Sequence, residues 1–496
     1  MNRFYIACDL GIENARVMLG TLHNDTLTIS ETRRISNAEI ADKKSGFRDI
    51  PRLYEELLAS LREISNYEEP IHGLSCYSEG SDYLLFEPNG DVVLPACPRR
   101  DPRGHAGMKE VFSKISWEAI YQETGIQQDP GNTLFQLGTE RSRRLKRNRL
   151  LPIADGFNFL LSGVQGIEMS SASATQLYNP ATRAWSERLL GALRLSPEMF
   201  PPVLAAGTRL GPLRAEILKE IALDELQVLT SCSQQIAGAI AGLPVIDGEN
   251  WAFLRTGNSG IMGTQLVGPI IDERSRDSHF TNQLGYGNSV LFHKNVVGLW
   301  ILEECKRFWN EKDRGLGDHI LTHLAIAADP FESLVDPTDP SFQAPGDMPL
   351  KIQAFCRKTG QSVPRKAGAV LRCVLESIAL SYRKTLDELE DLTGRKFTRL
   401  FLLDGSSNDL LNHFIANALQ IPVVIVTEDA PAVGSMLVQA VALGHVESLQ
   451  HARKIAEHSF KSETINPHAT VWNDAYERIA EWRRPQTSVL EPCSPG

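Results

Sequence analysis

The sequence predicts an α/β protein of more than one domain, and three observations support that prediction. A strand–turn–strand pattern opens the chain, a second one occupies 245–272, and a strand–helix–strand unit occupies 399–427. The length of 496 residues exceeds what one hydrophobic core usually organises. We therefore expect a domain at 1–244, a second at 245–450, and a helical extension with a tail at 451–496.

The first strands are read directly from the opening residues. The string FYIACDLGIENARVMLGTL (4–22) is an apolar run, a polar turn and a second apolar run, and TLTISETRRI (26–35) follows the turn HND. Further strands are expected at IHGLSCY (71–77) and in a hairpin at 82–96, whose turn lies at 88–91. Residues 105–200 have mostly helical periodicity.

The second half repeats the opening pattern and adds long helices. Amphipathic helices are expected at 295–312 and at 366–394, the latter ending at Gly394. The string RLFLLDGSSNDLLNHFIANALQIPVVIVT (399–427) is a βαβ unit with a polar turn after its first strand. The two strand–turn–strand segments indicate two halves of similar topology, or else two unrelated hairpins, and the sequence leaves both readings open.

Composition narrows the class of protein. A net charge of −10 argues against nucleic acid as the main partner, and the basic string RSRRLKRNRL (141–150) is interpreted as a solvated helix face. No run of 18 apolar residues occurs, so no membrane span is expected. The eight cysteines form no CxxC pair, which favours reduced, buried thiols and a cytoplasmic protein.

Several strings in collinear order resemble the FGGY carbohydrate kinases, most closely the rhamnulokinase branch. They are ACDLGIENARVMLG, RRDPR, TGIQQDPGNTLFQL, DGFNFLLSG, SSASATQLYNPATRAWSERLL, KNVVGLWILEE and LLDGSSNDLLNHFIANAL. The resemblance implies two ribonuclease-H-like domains of the actin and hexokinase type, with the active site in a cleft between them. It also implies transfer of the γ-phosphoryl group of Mg-ATP to a ketose, with L-rhamnulose as the first expectation, by a monomer or homodimer.

The resemblance assigns the phosphate and metal side to the opening turn. Asp9 would hold Mg²⁺ through water, and Gly11, Asn14 and Arg16 would approach the phosphates. The turn carries Glu13, whose negative charge is unfavourable beside phosphates. The corresponding loop of the second half supplies Thr256, Gly257 and Asn258, which could form an anion nest.

The nucleotide and sugar sides are assigned in the same way. Glu303 and Gly405 match nucleotide-side positions, although the family's glycine-rich turn keeps only that one glycine here. The sugar-side positions are Gly80, Asp82, Arg100, Asp101 and Asn295. The family's aspartate–aromatic pair is replaced at 77–79 by Tyr-Ser-Glu, which implies a changed sugar preference.

The catalytic base is the main departure from the family. The family places an aspartate at the start of a helix rich in small residues, and alignment of SCSQQIAGAIAG (231–242) puts Gln235 there, or Gln234 after a one-residue slip. Neither amide can take up a proton near neutral pH. The polar pair followed by small residues favours a helix start facing a cleft over one on the surface.

Two function classes therefore stay open. One is an active ATP-dependent sugar kinase, and the other is a kinase-fold protein that binds a sugar or nucleotide as a sensor or partner. An actin-like assembly protein is a third, weaker hypothesis.

Overall fold

The computed structural model describes residues 2–11, 13–36, 48–94, 103–246, 248–257, 259–311, 317–403, 408–426, 429–468 and 471–482. The strands are β1 Arg3–Leu10, β2 Asn14–His23, β3 Thr26–Ser36, β4 Ile71–Tyr77, β5 Tyr83–Phe86, β6 Arg149–Pro152, β7 Ile167–Glu168, β8 Tyr178–Asn179, β9 Ala184–Trp185, β10 Val203–Leu204, β11 Arg209–Pro212, β12 Gln227–Leu229, β13 Trp251–Arg255, β14 Ser259–Leu266, β15 Thr281–Leu284, β16 Val290–Val297, β17 Arg399–Leu403, β18 Val423–Val426 and β19 Ser462–Ile465.

The helices follow the same chain order. They are α1 Ile50–Ile64, α2 Arg103–Phe112, α3 Trp117–Thr124, α4 Thr133–Gly138, α5 Ser142–Leu145, α6 Ile153–Ser162, α7 Met169–Ala174, α8 Glu187–Leu193, α9 Ala215–Leu218, α10 Gln235–Ala241, α11 Glu273–Asp277, α12 Trp300–Glu311, α13 Asp318–Ile326, α14 Met348–Lys358, α15 Ala367–Thr393, α16 Asp409–Leu419, α17 Ala430–Ala442, α18 Leu449–Ser459 and α19 Trp472–Trp482. Short 3₁₀ turns lie at Pro197–Met199, Tyr286–Asn288 and Pro340–Phe342.

The first sheet has six strands in the order β11-β12-β4-β1-β2-β3. Strands β1, β2 and β3 are an antiparallel meander, and β4 lies parallel to β1 on its other side. The turn between β2 and β3 places Asn24 and Asp25 at positive φ, which suits a tight hairpin. The predicted strands at 4–22, 26–35 and 71–77 are thereby confirmed.

Two helices pack so closely beside this sheet that glycine is required at their contact. Helix α17 covers one face of the sheet, where Tyr5, Ala7 and Met18 meet its buried apolar side chains. At the contact between α10 and α17, a Cβ atom on Gly434 would lie 1.8 Å from the carbonyl oxygen of Gly238. Only the absence of a side chain allows the two helix backbones to approach so closely.

A Gly434→Ala variant is expected to lower the free energy of unfolding by about 2–3 kcal/mol, the upper part of the range for overpacked cores. The added methyl group meets backbone atoms, which cannot move aside as a flexible side chain can. Urea unfolding monitored by circular dichroism measures the change. Gly191→Ala is the matched control, because nothing lies within 4 Å of its Cβ position; an equal loss in both variants would contradict the explanation.

The second sheet has seven strands in the order β15-β16-β14-β13-β17-β18-β19. Its centre is parallel, with Phe253 of β13 opposite Phe401 of β17, and Phe401 opposite Val424 of β18. Helix α16 connects β17 to β18, so the predicted βαβ unit is confirmed. The long helix predicted to end at Gly394 is α15, and Gly394 caps it at φ 65°.

The predicted hairpin with its turn at 88–91 is present: Phe86 bridges Val92, and the Val93 N–H donates to the Leu85 carbonyl oxygen at 2.7 Å. Strand β5 also pairs with β6, far along the chain, which the sequence did not predict. Two other sequence predictions are corrected. The helix expected from residue 295 begins at Trp300, since 295–297 belong to β16. Strand β19 lies within the segment predicted to be helical. Each error arose because remote partners decide pairing, which local periodicity does not record.

The described chain forms two compact units that alternate along the sequence. One comprises 1–249, 263–294 and 426–462, and the other comprises 250–262, 295–425 and 463–496. The boundaries placed at 244 and 450 stay a prediction. No helix in the described ranges is long and apolar enough to cross a bilayer. Six cysteines in the described ranges are buried free thiols: Cys8, Cys76, Cys232, Cys305, Cys356 and Cys373.

A histidine pair at the start of the first sheet makes stability depend on pH. The His445 Nδ1 atom lies 2.7 Å from the Tyr5 hydroxyl, and the Arg3 guanidinium lies 3.0 Å from His72 Nε2. Burial, followed by the charges of Arg3, His72 and Arg209, lowers the pKa of His445 to about 4. Burial and Arg3 likewise lower the pKa of His72. The His445 imidazole is therefore neutral in the folded protein at pH 6.

The unfolded chain binds a proton at His445 near the ordinary pKa of about 6.5, whereas folding lowers that pKa to about 4. Stability from this group is therefore complete above about pH 6.5 and is lost as the pH falls towards 4. We expect a loss of about 1 kcal/mol for this half-exposed histidine, measured by urea titration at pH 7.0 and 4.5. His445→Gln should flatten that dependence, and an unchanged slope would contradict this origin.

Candidate active site

Three polar side chains lie in a row at the carboxyl end of β1. Asp9 is in register with Arg16 on β2 and with Tyr77 on β4, so the three side chains share one face of the sheet. Asp9 is almost fully buried, and Tyr77 belongs to the core cluster that α17 covers. The row therefore faces the amino end of α17.

Arg16 joins two carboxylates within this row. Its Nη2 atom lies 2.5 Å from Asp9 Oδ2, and its Nη1 atom forms an ion pair with Asp429, the residue that caps α17. Burial lowers the pKa of Arg16, but the charges of Asp429 and Asp9 outweigh burial and raise it overall. The guanidinium is thus a permanent positive charge between two negative ones.

Tyr77 contributes a buried hydroxyl to the same place. Its oxygen atom has no hydrogen-bond partner among the described residues, although the side chain is 1% exposed. Burial, together with the charges of Asp9 and Asp429, raises its pKa well above the ordinary value. The phenol therefore keeps its proton and is available as a hydrogen-bond donor.

Arg48 lies beside the opening turn and belongs to none of the motifs recognised in the sequence. Its guanidinium donates to the carbonyl oxygens of Leu10 at 3.3 Å and Gly11 at 2.6 Å. Burial lowers its pKa, whereas the charges of Asp82 and Asp9 raise it. Arg48 thus links the predicted sugar side to the predicted metal side. No local pattern marks it, since the contact joins residues 37 positions apart.

The glutamine pair lies at a buried helix start. Helix α10 begins at Gln235, and Gln234 precedes it as the cap residue. The Gln234 amide donates to the Gly80 carbonyl at 2.8 Å, and the Gln235 backbone donates to Ser78 at 2.9 Å. Both side chains are less than 10% exposed, so the alternative of a surface helix start is excluded.

The two amides differ in what they contact. The Gln234 amide nitrogen is engaged by Gly80, whose φ of 92° requires glycine. The Gln235 Oε1 atom is buried and has no hydrogen-bond partner among the described residues. A buried carbonyl oxygen without a donor is costly, so this acceptor is suited to a ligand's hydroxyl group.

The remaining residues predicted for the sugar side are dispersed. Asp82 is 6% exposed and follows Gly80 by two residues, close to the glutamine pair. Arg100 and Asp101 lie outside the described residues. Asn295 is exposed on β16, in the second compact unit. The structure therefore brings together Gly80, Asp82, Gln234 and Gln235.

The opening turn has the tight geometry that a phosphate loop needs. A Cβ atom on Gly11 would lie 2.8 Å from the carbonyl oxygen of Asn14, so the turn depends on glycine there. Asn14 is half-buried at the start of β2, whereas Glu13 is exposed. The Glu13 carboxylate is therefore solvated.

The residues predicted to form a second phosphate loop, and their predicted neighbours, lie in the other unit. Thr256 is half-buried, and the Gly257 carbonyl accepts from the Leu299 backbone at 2.7 Å. Glu303, on α12, pairs with Lys306 at 3.0 Å. Asn258 and Gly405 lie outside the described residues.

The donor set around Asp9 is suited to a magnesium ion. Mg²⁺ prefers carboxylate oxygens and keeps several of its waters, and Asp9 and Asp429 place two carboxylates on either side of Arg16. In the described ranges, no group of three or more histidine, cysteine or acidic side chains is arranged to hold a metal directly. A site in which Asp9 acts through water fits both observations.

Comparison with known proteins identifies the family. The model of the N-terminal domain of the FGGY family of carbohydrate kinases matches residues 4–241, and that of the C-terminal domain matches residues 252–443. The chain belongs to the FGGY family of carbohydrate kinases. A rhamnulokinase from Bacteroides thetaiotaomicron is 32% identical over 485 residues, covering 96% of this chain and 98% of the relative. One from Enterococcus faecalis is 33% identical over 470 residues, covering 93% and 94%.

Solved structures show the same fold. A xylulose kinase from Rhodospirillum rubrum aligns with a TM-score of 0.80 at 19% identity, covering 97% of this chain and 98% of the other. A Plasmodium falciparum glycerol kinase solved with ADP also gives 0.80, at 13% identity and 97% coverage of both chains. The predicted fold class, α/β with two ribonuclease-H-like domains, is confirmed for this FGGY member. The location of the active site between the domains stays a prediction.

Proposed function

We propose that this FGGY member transfers the γ-phosphoryl group of ATP to a hydroxyl group of a ketose in carbohydrate catabolism. The substrate would be L-rhamnulose or a related ketose. The observation that carries the proposal is the match, over almost the whole chain, to proteins named rhamnulokinase. The buried row of Asp9, Arg16 and Tyr77 supports it, since it combines acidic, basic and hydroxyl groups at one end of a sheet.

Each part of the site has a role in this proposal. Asp9 would hold Mg²⁺ through water, and the ion would neutralise charge on the phosphates when bound. Arg16 and the turn at Gly11 and Asn14 would face phosphate oxygens. The second loop, Thr256, Gly257 and Asn258, with Glu303 and Gly405, would serve the nucleotide. Transfer forms a bond between the sugar oxygen and the γ-phosphorus and breaks the bond to the β–γ bridging oxygen, which releases ADP.

Gln235 would orient the attacking hydroxyl without deprotonating it. Its buried Oε1 atom can accept a hydrogen bond from that hydroxyl but cannot take up the proton near neutral pH. The proton therefore leaves to a phosphoryl oxygen or to water. A largely dissociative transition state tolerates this, since little negative charge must develop on the attacking oxygen beforehand.

Sugar selection would depend on Gly80, Asp82, Arg100, Asp101 and Asn295. Together the aspartates accept, the arginine donates and the asparagine does both, which is the combination that polyol recognition requires. Arg48 adds a positive charge near Asp82, beside the predicted sugar side.

A coupled assay of ADP release tests the proposal with Mg-ATP and a panel of ketoses and deoxyketoses. Turnover of at least one ketose above the rate without sugar is expected. No signal for any sugar would refute it. The other hypothesis, a binding protein without catalysis, gains no support from relatives that are named as kinases. Tight sugar binding measured by calorimetry, together with no turnover in the coupled assay, would support that hypothesis. A cytoplasmic location and a monomeric or homodimeric state stay predictions.

A further inference from the structure

Two fully buried carboxylates lie behind the turn that leads into α10. Asp155 on α6 is 1% exposed, and Glu168, at the end of β7, is 0% exposed. Carboxylates are almost never buried to this extent unless surrounding donors compensate for lost hydration. The donors around them therefore show what they hold in place.

Those donors come from the turn itself. Glu168 Oε2 accepts the backbone N–H of Ser233 at 2.9 Å, the backbone N–H of Ser170 at 3.0 Å, and the Ser170 hydroxyl. The Ser170 oxygen in turn accepts the backbone N–H of Gln234 at 3.1 Å. The Ser233 hydroxyl donates to Asp155 Oδ1 at 2.8 Å.

The opposite side of the turn is held by the extension of β4. The Ser233 carbonyl accepts from the Ser78 backbone at 2.9 Å, and the Ser78 carbonyl accepts from the Gln235 backbone at 2.9 Å. The backbone N–H groups of Ser233, Gln234 and Gln235 are thus all engaged by groups outside α10. Few other arrangements of this turn would keep all three bonds.

We propose that Glu168 and Asp155 are positioning residues that hold the Ser233–Gln235 turn, so that the Gln235 side chain presents its free acceptor to the substrate. The role assigned to Gln235 rests on the proposed function. The physical requirement is general, because a group that orients without exchanging a proton acts only through its placement.

Burial raises the pKa of both acids. It raises the pKa of Glu168 to about 7. Burial, together with the charge of Glu168, raises the pKa of Asp155 well above its ordinary value. The other titratable groups facing the pair are the thiols of Cys76 and Cys232, which burial keeps neutral. Glu168 is therefore the group that changes charge around pH 7.

The charge on Glu168 has opposite effects on the turn and on the fold. Ionised Glu168 accepts its three hydrogen bonds more strongly than the neutral acid does, so acid loosens the turn. The folded state binds the proton more tightly than the unfolded state between about pH 4.5 and 7, so stability falls as the pH rises through that window. Lowering the pH therefore loosens the Ser233–Gln235 turn, whereas the same protonation of Glu168 stabilises the fold.

The test is a Glu168→Gln variant followed by three measurements: amide hydrogen exchange across 231–236, kcat/KM from pH 5.5 to 8.5, and the thermal midpoint. Exchange in the turn should accelerate about tenfold or more. In the wild-type protein, kcat/KM should fall below about pH 7, whereas protonation of Glu168 should not lower the thermal midpoint. In the variant, this fall of kcat/KM at acid pH (the acid limb) should be absent. Unchanged exchange, or an acid limb that persists in the variant, would overturn the inference.

Glu376→Gln is the matched control. Glu376 is also a buried glutamate whose pKa burial raises to about 7, but it lies on α15 and bonds Arg372. It should leave the exchange at 231–236 and the acid limb unchanged. Asp155→Asn should also be mild, because the amide oxygen can still accept from the Ser233 hydroxyl, whereas Asp155→Ala removes that acceptor and should accelerate exchange.

Ser170→Ala provides a second route if Glu168→Gln does not fold. It removes the acceptor for Gln234 N–H and the hydroxyl that donates to Glu168, but leaves the Glu168 carboxylate in place. Exchange at the Gln234 amide should accelerate, whereas the rest of α7 should be unchanged. Hydrogen exchange needs no substrate. If the wild-type protein phosphorylates no sugar, the proposed function fails, yet exchange still decides whether Glu168 holds the turn.

Discussion

Gln235→Asp is expected to raise kcat on the preferred ketose by about 10²-fold, the lower end of what a general base contributes. The Gln235 Oε1 atom is already a buried acceptor without a protein donor, and a carboxylate there would also take the proton from the attacking hydroxyl. Burial will raise the pKa of the new acid, so the gain should fade as the pH falls below neutrality. Steady-state kinetics from pH 6 to 9 measure both effects.

Gln235→Asn is the matched control, because it has the same shape as the aspartate and no proton-accepting charge. It should show no gain. Gln234→Asp is the positional control, since the Gln234 amide already donates to Gly80 and a carboxylate would lose that bond. A gain with Gln234→Asp but not with Gln235→Asp would show that the alignment is displaced by one residue. No gain with either would contradict the assignment of this helix start as the base position.

Asp9→Asn is expected to lower kcat/KM by about 10- to 100-fold and to raise the Mg²⁺ concentration needed for half-maximal activity. Losses of this size are typical when a residue that acts on a metal through its outer shell is changed. The variant keeps the shape of the side chain but removes one of the two negative charges that hold Arg16. Activity measured across a Mg²⁺ titration at fixed ATP separates the metal effect from a general loss.

Asp429→Asn is the comparison for this prediction. It removes the other carboxylate on Arg16 but leaves Asp9, so its Mg²⁺ requirement should stay near that of the wild-type protein. Thermal midpoints of both variants check that the sheet and α17 remain folded. An equal shift of the Mg²⁺ requirement in both variants would contradict a specific role for Asp9.

Part of the site was predictable because the relevant residues are close in sequence. Asp9, Gly11 and Arg16 lie on one hairpin, and alternating burial with a polar turn marks that hairpin in the sequence. The pairing of Gln234 with Gly80 was not predictable in the same way. It depends on the Gln234 segment lying parallel to the end of β4, and the two segments are 154 residues apart.

Other groups carry no local signal. Arg48 follows no recognisable motif, and Asp429 resembles an ordinary helix cap, yet both place charge beside Asp9. Asp155 opens one string of the family resemblance without any role there, and Glu168 lies outside all of those strings. Their importance becomes visible only through burial and through the donors that surround them.

The sequence by itself determined the first strands, the βαβ unit, the long helix that ends at Gly394 and the family, and it leads to the prediction that no acid stands at the base position. These follow from periodicity, caps and residue identity, which are properties of short stretches of chain. The tertiary structure alone decided which charges meet at Asp9, and that Gln235 is buried with a free acceptor while Gln234 is engaged. Such facts depend on electrostatics and desolvation between segments far apart in sequence, and these arise only when the chain has folded.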